Sequence, residues 1–465
     1  MLSDNIMWQW LPLELQVRSG EVVTASEAVH FNNWLKGLAD GIDRPFIYIP
    51  NPGNVGDSLI VLGTIQLFHR LNIGYQVGSP YVKYEGELLV YGGGGNFVEN
   101  IGNNGKGYPI CANFLRNNHE PRNNNTIVLL PHSVRGYESL LGTLGPNVCL
   151  WARERASFDH MSNACTGGAH VNLWHDMALN TVVDIEKVRS NSEKQNATLF
   201  AFRTDREAPE GQIPPRGNLD IVATPDTIKL QLQGAPELSS EQMADLTGMA
   251  VPDELKINLQ SAFSLLRVVG ARPKVYTNRL HVGVACAIMQ ADCELYDNSY
   301  GKLSSVFNYS LCPTCKYGER AKHIHLASGL YPMGRYYEVV VSKFHPHFYD
   351  RSLGWHGQTY EAALDFCDNI DGYALCPYDA VCPLGTNRSP ISLYLNVSGP
   401  LEEASWVPVI DEANEWVQIA LLNSCIKHSA MNPEPPEWGR SGIGNEEITR
   451  NILCCAKAGT TRMRR

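Results

Sequence analysis

Short apolar runs separated by helix-length stretches constrain the fold of this 465-residue chain most strongly. Four runs lie in the first half and begin at Phe46 (FIYIP), Glu87 (ELLVY), Thr126 (TIVLL) and Val148 (VCLWA). Four more begin at Ala197 (ATLFAF), Leu219 (LDIVAT), Pro273 (PKVYT) and Asp292 (DCELYD). Buried runs that alternate with helix-length segments are typical of parallel sheets with crossover helices. The pattern predicts an α/β protein with two Rossmann-like halves and leaves the strand order open.

The length and composition of the chain predict its domain boundaries. A chain of 465 residues is too long for a single hydrophobic core. No strong apolar period is visible between about residues 156 and 183, so we expect one Rossmann-like domain over 1–165 and a second over 166–311. Residues 312–343 are predicted to be a linker, and residues 344–465 a Trp- and Cys-rich module.

The cysteines are distributed unevenly, and six of the 13 lie in the last module. These six are Cys367, Cys376, Cys382, Cys425, Cys454 and Cys455. We expect three disulfide bonds within the module, and spacing alone leaves their pairing open. Cys312 and Cys315 form a C-x-x-C motif, for which a local disulfide is favoured over a zinc site with His323 and His325 because the spacing is unusual for zinc.

The sequence contains conflicting indications of the cellular compartment of the protein. The Cys-rich module and five Asn-x-Ser/Thr sequons favour the Golgi lumen or another part of the secretory pathway, with glycosylation of the chain. The sequons begin at Asn124, Asn196, Asn308, Asn387 and Asn396. The first 16 residues, MLSDNIMWQWLPLELQ, show neither a signal peptide nor a membrane span. Either the start of the chain is incomplete or the protein is cytoplasmic.

The charge balance narrows the classes of partner. The chain carries 38 basic and 48 acidic side chains, for a net charge of −10. Nucleic acid is therefore disfavoured as a partner, because phosphate binding along a backbone needs a basic surface. A local cationic pocket for a small anion remains compatible with this balance.

Two glycine-rich segments follow predicted strands. In NPGNVGDSLI, glycines allow a ligand to approach the backbone and Asp57 caps a helix or holds a donor. Taken alone, this motif is better explained by a plain glycine turn with a capping Asp. VYGGGGNF is more informative, because four consecutive glycines cost conformational entropy that an ordinary turn does not require. The expected ligand-contacting residues there are Gly93, Gly94, Gly95 and Asn96, and the alternative is a tight turn at a domain interface.

Polar and basic residues follow several other predicted strands. His132 and Ser133 lie in PHSVRG, and Arg135, Arg153 and Arg155 are further candidates for the same crevice. In the second half, Arg203, Arg279 and Lys302 follow strands, and His281 lies two residues after Arg279. Because ligands bind at the carboxyl ends of parallel strands, these residues predict an anion site with a proton carrier beside it.

The ordered motifs of residues 45–309 resemble those of the polysaccharide pyruvyl transferase family. They are NPGNVGDSLI, YGGGGNF, PHSVRG, ARERASF, HDMAL, FRTDRE, TNRLHVGVACAI and LYDNSYGKLSSVF. The resemblance implies two Rossmann-like domains similar to the GT-B glycosyltransferases, with phosphoenolpyruvate as donor substrate and no other cofactor or metal. It also implies a glycan or polysaccharide acceptor, with galactose-containing glycans as candidates, and a pyruvate ketal as the product.

The resemblance also implies roles for particular residues. Arg203 and Arg279, together with Lys302, are expected to bind the donor, and His281 is expected to transfer a proton. Glu99 and Asp57 are candidates for orienting or deprotonating a sugar hydroxyl. Family members often have Gly-Asp after the glycine run, whereas this chain has Val98 and Glu99.

The tail resembles a Cys-rich module of unknown function found in secreted microalgal proteins. Its tryptophans either stack on sugar rings or form a small core; the residues concerned are Trp355, Trp406, Trp416 and Trp438. Since fold does not determine function, two alternatives stay open. One is a nucleotide-sugar-dependent GT-B glycosyltransferase, and the other is a non-catalytic glycan-binding protein.

Overall fold

A computed structural model provides the structure of the protein. The described residues are 25–99, 109–190, 197–205, 207–209, 212, 214–215, 218–219, 221, 237–329, 333–387, 390–391, 405–419, 425–441 and 448–457. The chain divides into two compact units, the first comprising residues 1–212 and 218–330 and the second comprising residues 213–217 and 331–465.

A seven-stranded parallel sheet forms the first half of the first unit. Its strands are β1 (Phe46–Ile49), β2 (Tyr75–Val77), β3 (Leu88–Tyr91), β4 (Gly94–Val98), β5 (Thr126–Arg135), β6 (Val148–Ala152) and β7 (His170–Leu173). The order is β2-β1-β3-β5-β6-β7, and β4 pairs with the later part of β5. The four apolar runs of the first half correspond to β1, β3, β5 and β6. The edge strands β2 and β7 are only partly buried, and they lack the continuous apolar run that would have predicted them.

One helix of this half lies at the centre of the unit. The described helices are α1 (Ala25–Asp40), α2 (Val55–Arg70), α3 (Pro109–Asn118), α4 (Glu138–Leu141), α5 (Arg155–Ala164) and α6 (Ile185–Ser190). In α2, 13 of the 16 residues are buried. A helix that is apolar on all sides is covered on all sides, so α2 belongs to the interior rather than to one face of a sheet.

A four-stranded parallel sheet forms the second half. Its strands are β8 (Leu199–Ala201), β9 (Val275–Thr277), β10 (Cys293–Leu295) and β11 (Ile324–Leu326), in the order β11-β10-β9-β8. The helices are α7 (Ser240–Thr247), α8 (Lys256–Gly270), α9 (Leu280–Met289) and α10 (Lys302–Val306). Three apolar runs of this half correspond to β8, β9 and β10, while most of the run from Leu219 lies outside the described residues. The predicted linker over 312–343 holds β11, which is too short and too exposed to be predicted.

The two sheets share one hydrophobic core. Helix α8 packs against α2, and a single cluster of buried residues includes Leu59 and Leu62 of α2 together with Leu265 and Leu266 of α8. Contiguous apolar contact of this kind makes one unit of the two halves. The structure therefore shows a mixed α/β unit with two parallel sheets.

The second unit contains two small antiparallel sheets. Their strands are β12 (His347–Tyr349), β13 (Tyr373–Leu375), β14 (Ser405–Val409), β15 (Glu415–Ile419), β16 (Ile426–Lys427) and β17 (Ile452–Ala456), in the orders β12-β17-β13 and β14-β15-β16. Its helices are α11 (Met333–Phe344), α12 (Tyr360–Asp368), α13 (Tyr378–Val381), α14 (His428–Met431) and α15 (Trp438–Ser441). Most of α11 lies in the predicted linker.

Disulfide bonds hold this unit together. The prediction of three bonds among its six cysteines is confirmed: the pairs are Cys367–Cys454, Cys376–Cys455 and Cys382–Cys425. Cys454 and Cys455 are neighbours on β17, where successive side chains point to opposite faces of the sheet. The central strand is therefore cross-linked on both faces.

The tryptophans of the second unit form its core. Trp355 and Trp416 are buried, with 2% and 0% exposure. Trp438 packs against Trp416 with a distance of 4.9 Å between ring centroids, and against Trp406 at 5.9 Å. These rings pack on each other, which favours a core over the alternative of an open platform for sugar rings.

The C-x-x-C cysteines and three of the five sequon asparagines lie among the described residues. Cys312 and Cys315 form the local disulfide bond, so they are not zinc ligands. The sequon asparagines Asn124, Asn308 and Asn387 are exposed, and those at 196 and 396 lie outside the described residues, as does the N-terminal segment. Across the described ranges, no helix is long and apolar enough to cross a membrane.

Candidate active site

A cavity of about 350 Å³ opens within the first unit. Residues that follow β1, β6, β8 and β9 contribute to its wall, as do β4 and the first turns of α2, α9 and α10. The cavity therefore lies at the carboxyl ends of parallel strands, where α/β proteins bind ligands, and its volume is sufficient for a small molecule.

Asp57 is fixed at the first turn of α2. The Asn54 side chain accepts a hydrogen bond from the backbone N–H of Gly56 (2.8 Å), and Asp57 Oδ2 accepts one from the backbone N–H of Asn54 (2.9 Å). This reciprocal arrangement is a capping box. A Cβ on Gly53 would lie 1.8 Å from Asp57 Oδ2, so glycine is required for the carboxylate to occupy this position. Burial raises the pKa of Asp57, opposed chiefly by the nearby His281.

His281 meets this turn from the first turn of α9. Its Nε2 lies 3.3 Å from Asp176 Oδ2. A Cβ on Gly56 would lie 2.2 Å from His281 Nδ1, so the imidazole packs directly over this glycine. The two helix N-termini thereby face the same cavity, and their partial positive charges favour a bound anion.

A buried ion pair lies behind the histidine. Arg153 Nη1 donates to Asp176 Oδ2 (2.8 Å), and Arg153 Nε donates to Ser133 Oγ (2.8 Å). Burial by itself would raise the pKa of Asp176, but His281 and Arg153 outweigh it and lower that pKa. The carboxylate of Asp176 therefore stays ionised beside the imidazole of His281. Sequence reasoning placed Asp176 in the HDMAL motif without assigning it a role.

The three basic residues predicted to bind the donor come together around two carboxylates. Arg203 Nε and Nη2 donate to Asp205 Oδ1 (2.7 Å) and Oδ2 (3.0 Å), and Arg279 Nη2 lies 3.3 Å from Asp205 Oδ2. Lys302 Nζ and Arg203 Nη1 donate to Glu207 Oε2, at 2.8 and 2.5 Å. Asp205 and Glu207 were not selected from the sequence, although both lie in the FRTDRE motif.

The ionisation of this cluster is fixed by its own pairs. Burial opposes the charged form of Glu207, but Lys302 and Arg203 outweigh it and lower its pKa to about 2. Burial also opposes the charged forms of Arg203 and Lys302, but their carboxylate partners outweigh it and raise the pKa of both groups. All of these groups are therefore charged at neutral pH. The charged residues that line the cavity are Arg153, Arg203, Arg279, Lys302, Asp57, Asp205 and Glu207.

Asn96 connects the cavity to a buried polar network. Its Oδ1 faces His132 Nε2 (2.9 Å), and its Nδ2 donates to Asn51 Oδ1 (2.5 Å). Asn51 Nδ2 donates in turn to Asp57 Oδ1 (3.1 Å). Burial lowers the pKa of His132 to about 3, so this histidine is neutral. Asn51 and Asn96 therefore help to hold the Asp57 carboxylate.

Several residues expected to contact substrate lie outside the cavity wall. His132 is behind Asn96, and Ser133 is behind Arg153. Glu99 Oε2 accepts from the backbone N–H of Tyr137 (2.7 Å), and Glu99 does not line the cavity.

Only the last residue of the glycine run lines the cavity. A Cβ on Gly93 would lie 2.8 Å from the Pro131 carbonyl oxygen, and Gly94 has a φ of +151° and would place a Cβ 2.1 Å from Asn51 Nδ2. These two glycines allow close strand packing. Gly95 lines the cavity beside Arg153 and Lys302. Among the residues that the structure describes, no group of three or more His, Cys, Asp or Glu side chains is arranged to hold a metal ion.

Comparison with known families identifies this class of α/β protein. The polysaccharide pyruvyl transferase family matches residues 54–292, which is more than half of the 465-residue chain. The chain belongs to the polysaccharide pyruvyl transferase family. Residues 347–457 match a domain of unknown function, DUF7495.

Individual relatives are distant. A Bacillus subtilis (strain 168) protein named "Putative pyruvyl transferase EpsO" is 25% identical over 303 residues, which cover 59% of this chain and 88% of that protein. The crystal structure of an uncharacterized protein from Klebsiella pneumoniae subsp. pneumoniae NTUH-K2044 covers 66% of this chain and 100% of that chain, with 23% identity and a TM-score of 0.48.

Proposed function

We propose that the protein transfers the enolpyruvyl group of phosphoenolpyruvate to a pair of sugar hydroxyls and so forms a pyruvate ketal on a glycan. The observation that carries this proposal is the cavity that joins four cationic side chains to His281, with the ionised Asp176 behind the imidazole. Such a site offers charge for an anionic donor and a proton carrier for its chemistry.

The donor carries a carboxylate and a phosphate. Guanidinium groups bind both by paired hydrogen bonds, and Lys302 supplies a compact positive charge. In this assignment Arg203, Arg279 and Lys302 neutralise the donor, and the first turns of α2 and α9 contribute backbone N–H groups.

The reaction begins with protonation of the methylene carbon of the donor by His281. The adjacent carbon then becomes an oxocarbenium-like electrophile, which one sugar hydroxyl attacks. Phosphate leaves, and a second hydroxyl on the same acceptor closes the ketal. Two hydroxyl protons are released: one restores the protonated imidazole and the other leaves with the phosphate. Asp176 orients the imidazole of His281 for this proton transfer.

Asp57 is the better candidate to orient or deprotonate the acceptor hydroxyl. It lines the cavity with His281, and its carboxylate is held by Asn54 and Asn51. The Glu99 carboxylate is instead bonded to the backbone of Tyr137. We further propose a Golgi or other secretory compartment, which the four disulfide bonds and three exposed sequons support. The acceptor proposed from the family resemblance is a galactose-containing glycan.

The test is to incubate the whole protein with a galactoside acceptor and either phosphoenolpyruvate or nucleotide sugars. Phosphate release is measured, and the acceptor is analysed by mass spectrometry. We expect release from phosphoenolpyruvate that depends on acceptor, with a ketal on the sugar. Sugar transfer from a nucleotide donor would identify a glycosyltransferase. Glycan binding with no turnover of any donor would identify a non-catalytic glycan-binding protein.

A further inference from the structure

Two carboxylates lie among the basic residues of the cavity, and they differ in burial. The side chain of Glu207 is 4% exposed, whereas that of Asp205 is 28% exposed. Both residues line the cavity. A ligand that enters the cavity therefore reaches the position occupied by the Asp205 carboxylate more easily than the position occupied by the Glu207 carboxylate.

Glu207 is a fixed counter-ion. Besides Arg203 and Lys302, its Oε2 accepts hydrogen bonds from Asn298 Nδ2 (3.2 Å) and Tyr300 Oη (3.2 Å). Removing this carboxylate would leave the nearly buried side chains of Arg203 and Lys302 without their shared counter-ion, which is strongly unfavourable. No small ligand can replace Glu207 without breaking that set of bonds.

Asp205 is held in the way that a ligand would be. The guanidinium of Arg203 donates to both of its oxygens, and the guanidinium of Arg279 approaches one of them at 3.3 Å. Among the described residues, the backbone N–H of Glu207 also donates to this carboxylate (3.0 Å). A paired guanidinium contact is the geometry with which arginine recognises a free carboxylate.

We propose that Asp205 occupies the carboxylate subsite formed by Arg203 and Arg279, and that the carboxylate of the donor displaces it. Glu207 stays in place and keeps Arg203 and Lys302 oriented during the exchange. The identity of the donor as phosphoenolpyruvate rests on the proposed function. The competition itself applies to any small carboxylate that reaches the cavity.

A competing role and a purely orienting role of Asp205 predict opposite changes in ligand affinity when its charge is removed. If Asp205 competes with the ligand, replacing its charge with a neutral amide strengthens ligand binding. If Asp205 only holds the two arginines in position, the same replacement weakens binding. The sign of the change in affinity therefore distinguishes the two roles.

The experiment compares the whole wild-type protein with Asp205→Asn, and with Asp205→Ala as a second variant in case the first does not fold. Binding of phosphoenolpyruvate is measured by calorimetry, and binding of pyruvate, as a carboxylate without phosphate, by ligand-observed NMR. We expect both ligands to bind about tenfold more tightly to either variant, the scale of one charged hydrogen bond. The gain should persist in high salt, because the Arg203 and Arg279 side chains are only 6% and 8% exposed and pairs with charges this buried are weakly screened.

Two control variants separate this effect from a change in net charge or in fold. Asp245→Asn removes the same charge from an exposed pair with Lys187 and should leave affinity unchanged. Glu207→Gln should weaken binding. Melting curves establish that each variant is folded.

The outcomes also distinguish this inference from the proposed function. Tighter pyruvate binding by the Asp205 variants without any binding of phosphoenolpyruvate would support the subsite and overturn the donor. Wild-type binding of phosphoenolpyruvate that is unchanged or weakened in both Asp205 variants would support the donor and overturn the subsite. Failure of every variant to bind either anion would overturn the subsite as well.

Discussion

The two units of this protein are stabilised in different ways. The first has an extensive apolar core, and its cysteines at 111, 149, 286 and 293 are buried free thiols. The second has a much smaller cluster of buried side chains, and three disulfide bonds cross-link it. A small unit that cannot bury enough apolar surface commonly depends on disulfides. The comparison indicates that ion pairs and core packing stabilise the unit with the active site, whereas disulfide cross-links stabilise the second unit.

Removing Asp176 should have the largest effect on the first unit. Asp176→Ala leaves Arg153 buried without its partner, and breaking a buried pair in this way typically costs about 3–5 kcal/mol. Calorimetric unfolding should show a lower transition for the first unit and an unchanged one for the second. Asp245→Ala, which breaks the exposed pair with Lys187, is the control and should leave the transition of the first unit nearly unchanged. Equal losses from the two substitutions would contradict the comparison.

Removing one disulfide should destabilise only the second unit. The double substitution of Cys367 and Cys454 by alanine opens a bond that closes 87 residues of sequence. Loss of a native disulfide from a small unit typically costs about 2–5 kcal/mol. Cys149→Ala in the first unit removes a thiol but no cross-link, and it serves as the control. An equal lowering of the unfolding temperatures of the two units by a reducing agent would contradict this prediction.

Acid should weaken the first unit through Glu207. Its pKa lies at about 2 in the folded protein, below the ordinary value of 4.5. A lowered pKa contributes stability that is present above the ordinary value and is lost as the pH falls through the folded value. We expect the unfolding temperature of the first unit to fall between about pH 4.5 and pH 2. In Glu207→Gln this part of the pH dependence should disappear; an unchanged profile would exclude Glu207 as its source.

Truncation of the tail should have the smallest effect on donor turnover. A protein that ends after Gly329 keeps all residues that line the cavity. Ending the chain at Ser310, just after the segment that resembles the family, would remove β11 and Arg320, whose Nη1 donates to the carbonyls of Leu179 and Thr181. We expect near-normal phosphate release from the longer fragment and a marked loss of stability in the shorter one. A folded longer fragment without turnover would show that catalysis needs the second unit.

Sequence patterns predicted the parts of the fold that depend on local order. Continuous apolar runs identified β1, β3, β5 and β6, because these strands are buried on both faces. The edge strand β11 was missed because its burial is incomplete, and the shared core of α2 and α8 depends on contacts between distant segments. Such contacts are invisible to local periodicity.

The sequence also predicted only part of the candidate active site. The order of the motifs led to Arg203, Arg279, Lys302, His281 and Asp57, and the structure brings these residues to one cavity. It could not indicate that Asp176 lies against His281, since the two are 105 residues apart. Nor could it separate Asn96, which lines the cavity, from His132, which holds Asn96 from behind.

The most direct test of the account is the response of donor binding and phosphate release to His281→Ala, with Arg279→Ala measured beside it. If His281 carries the proton, its removal should leave the affinity for phosphoenolpyruvate within a few fold and reduce turnover by about 10²–10⁴. Removal of the Arg279 guanidinium should instead weaken donor binding by about one to two decades. Both variants must melt like the wild type. Near-normal turnover in His281→Ala would contradict the central claim, because the cavity would then lack its proposed proton carrier.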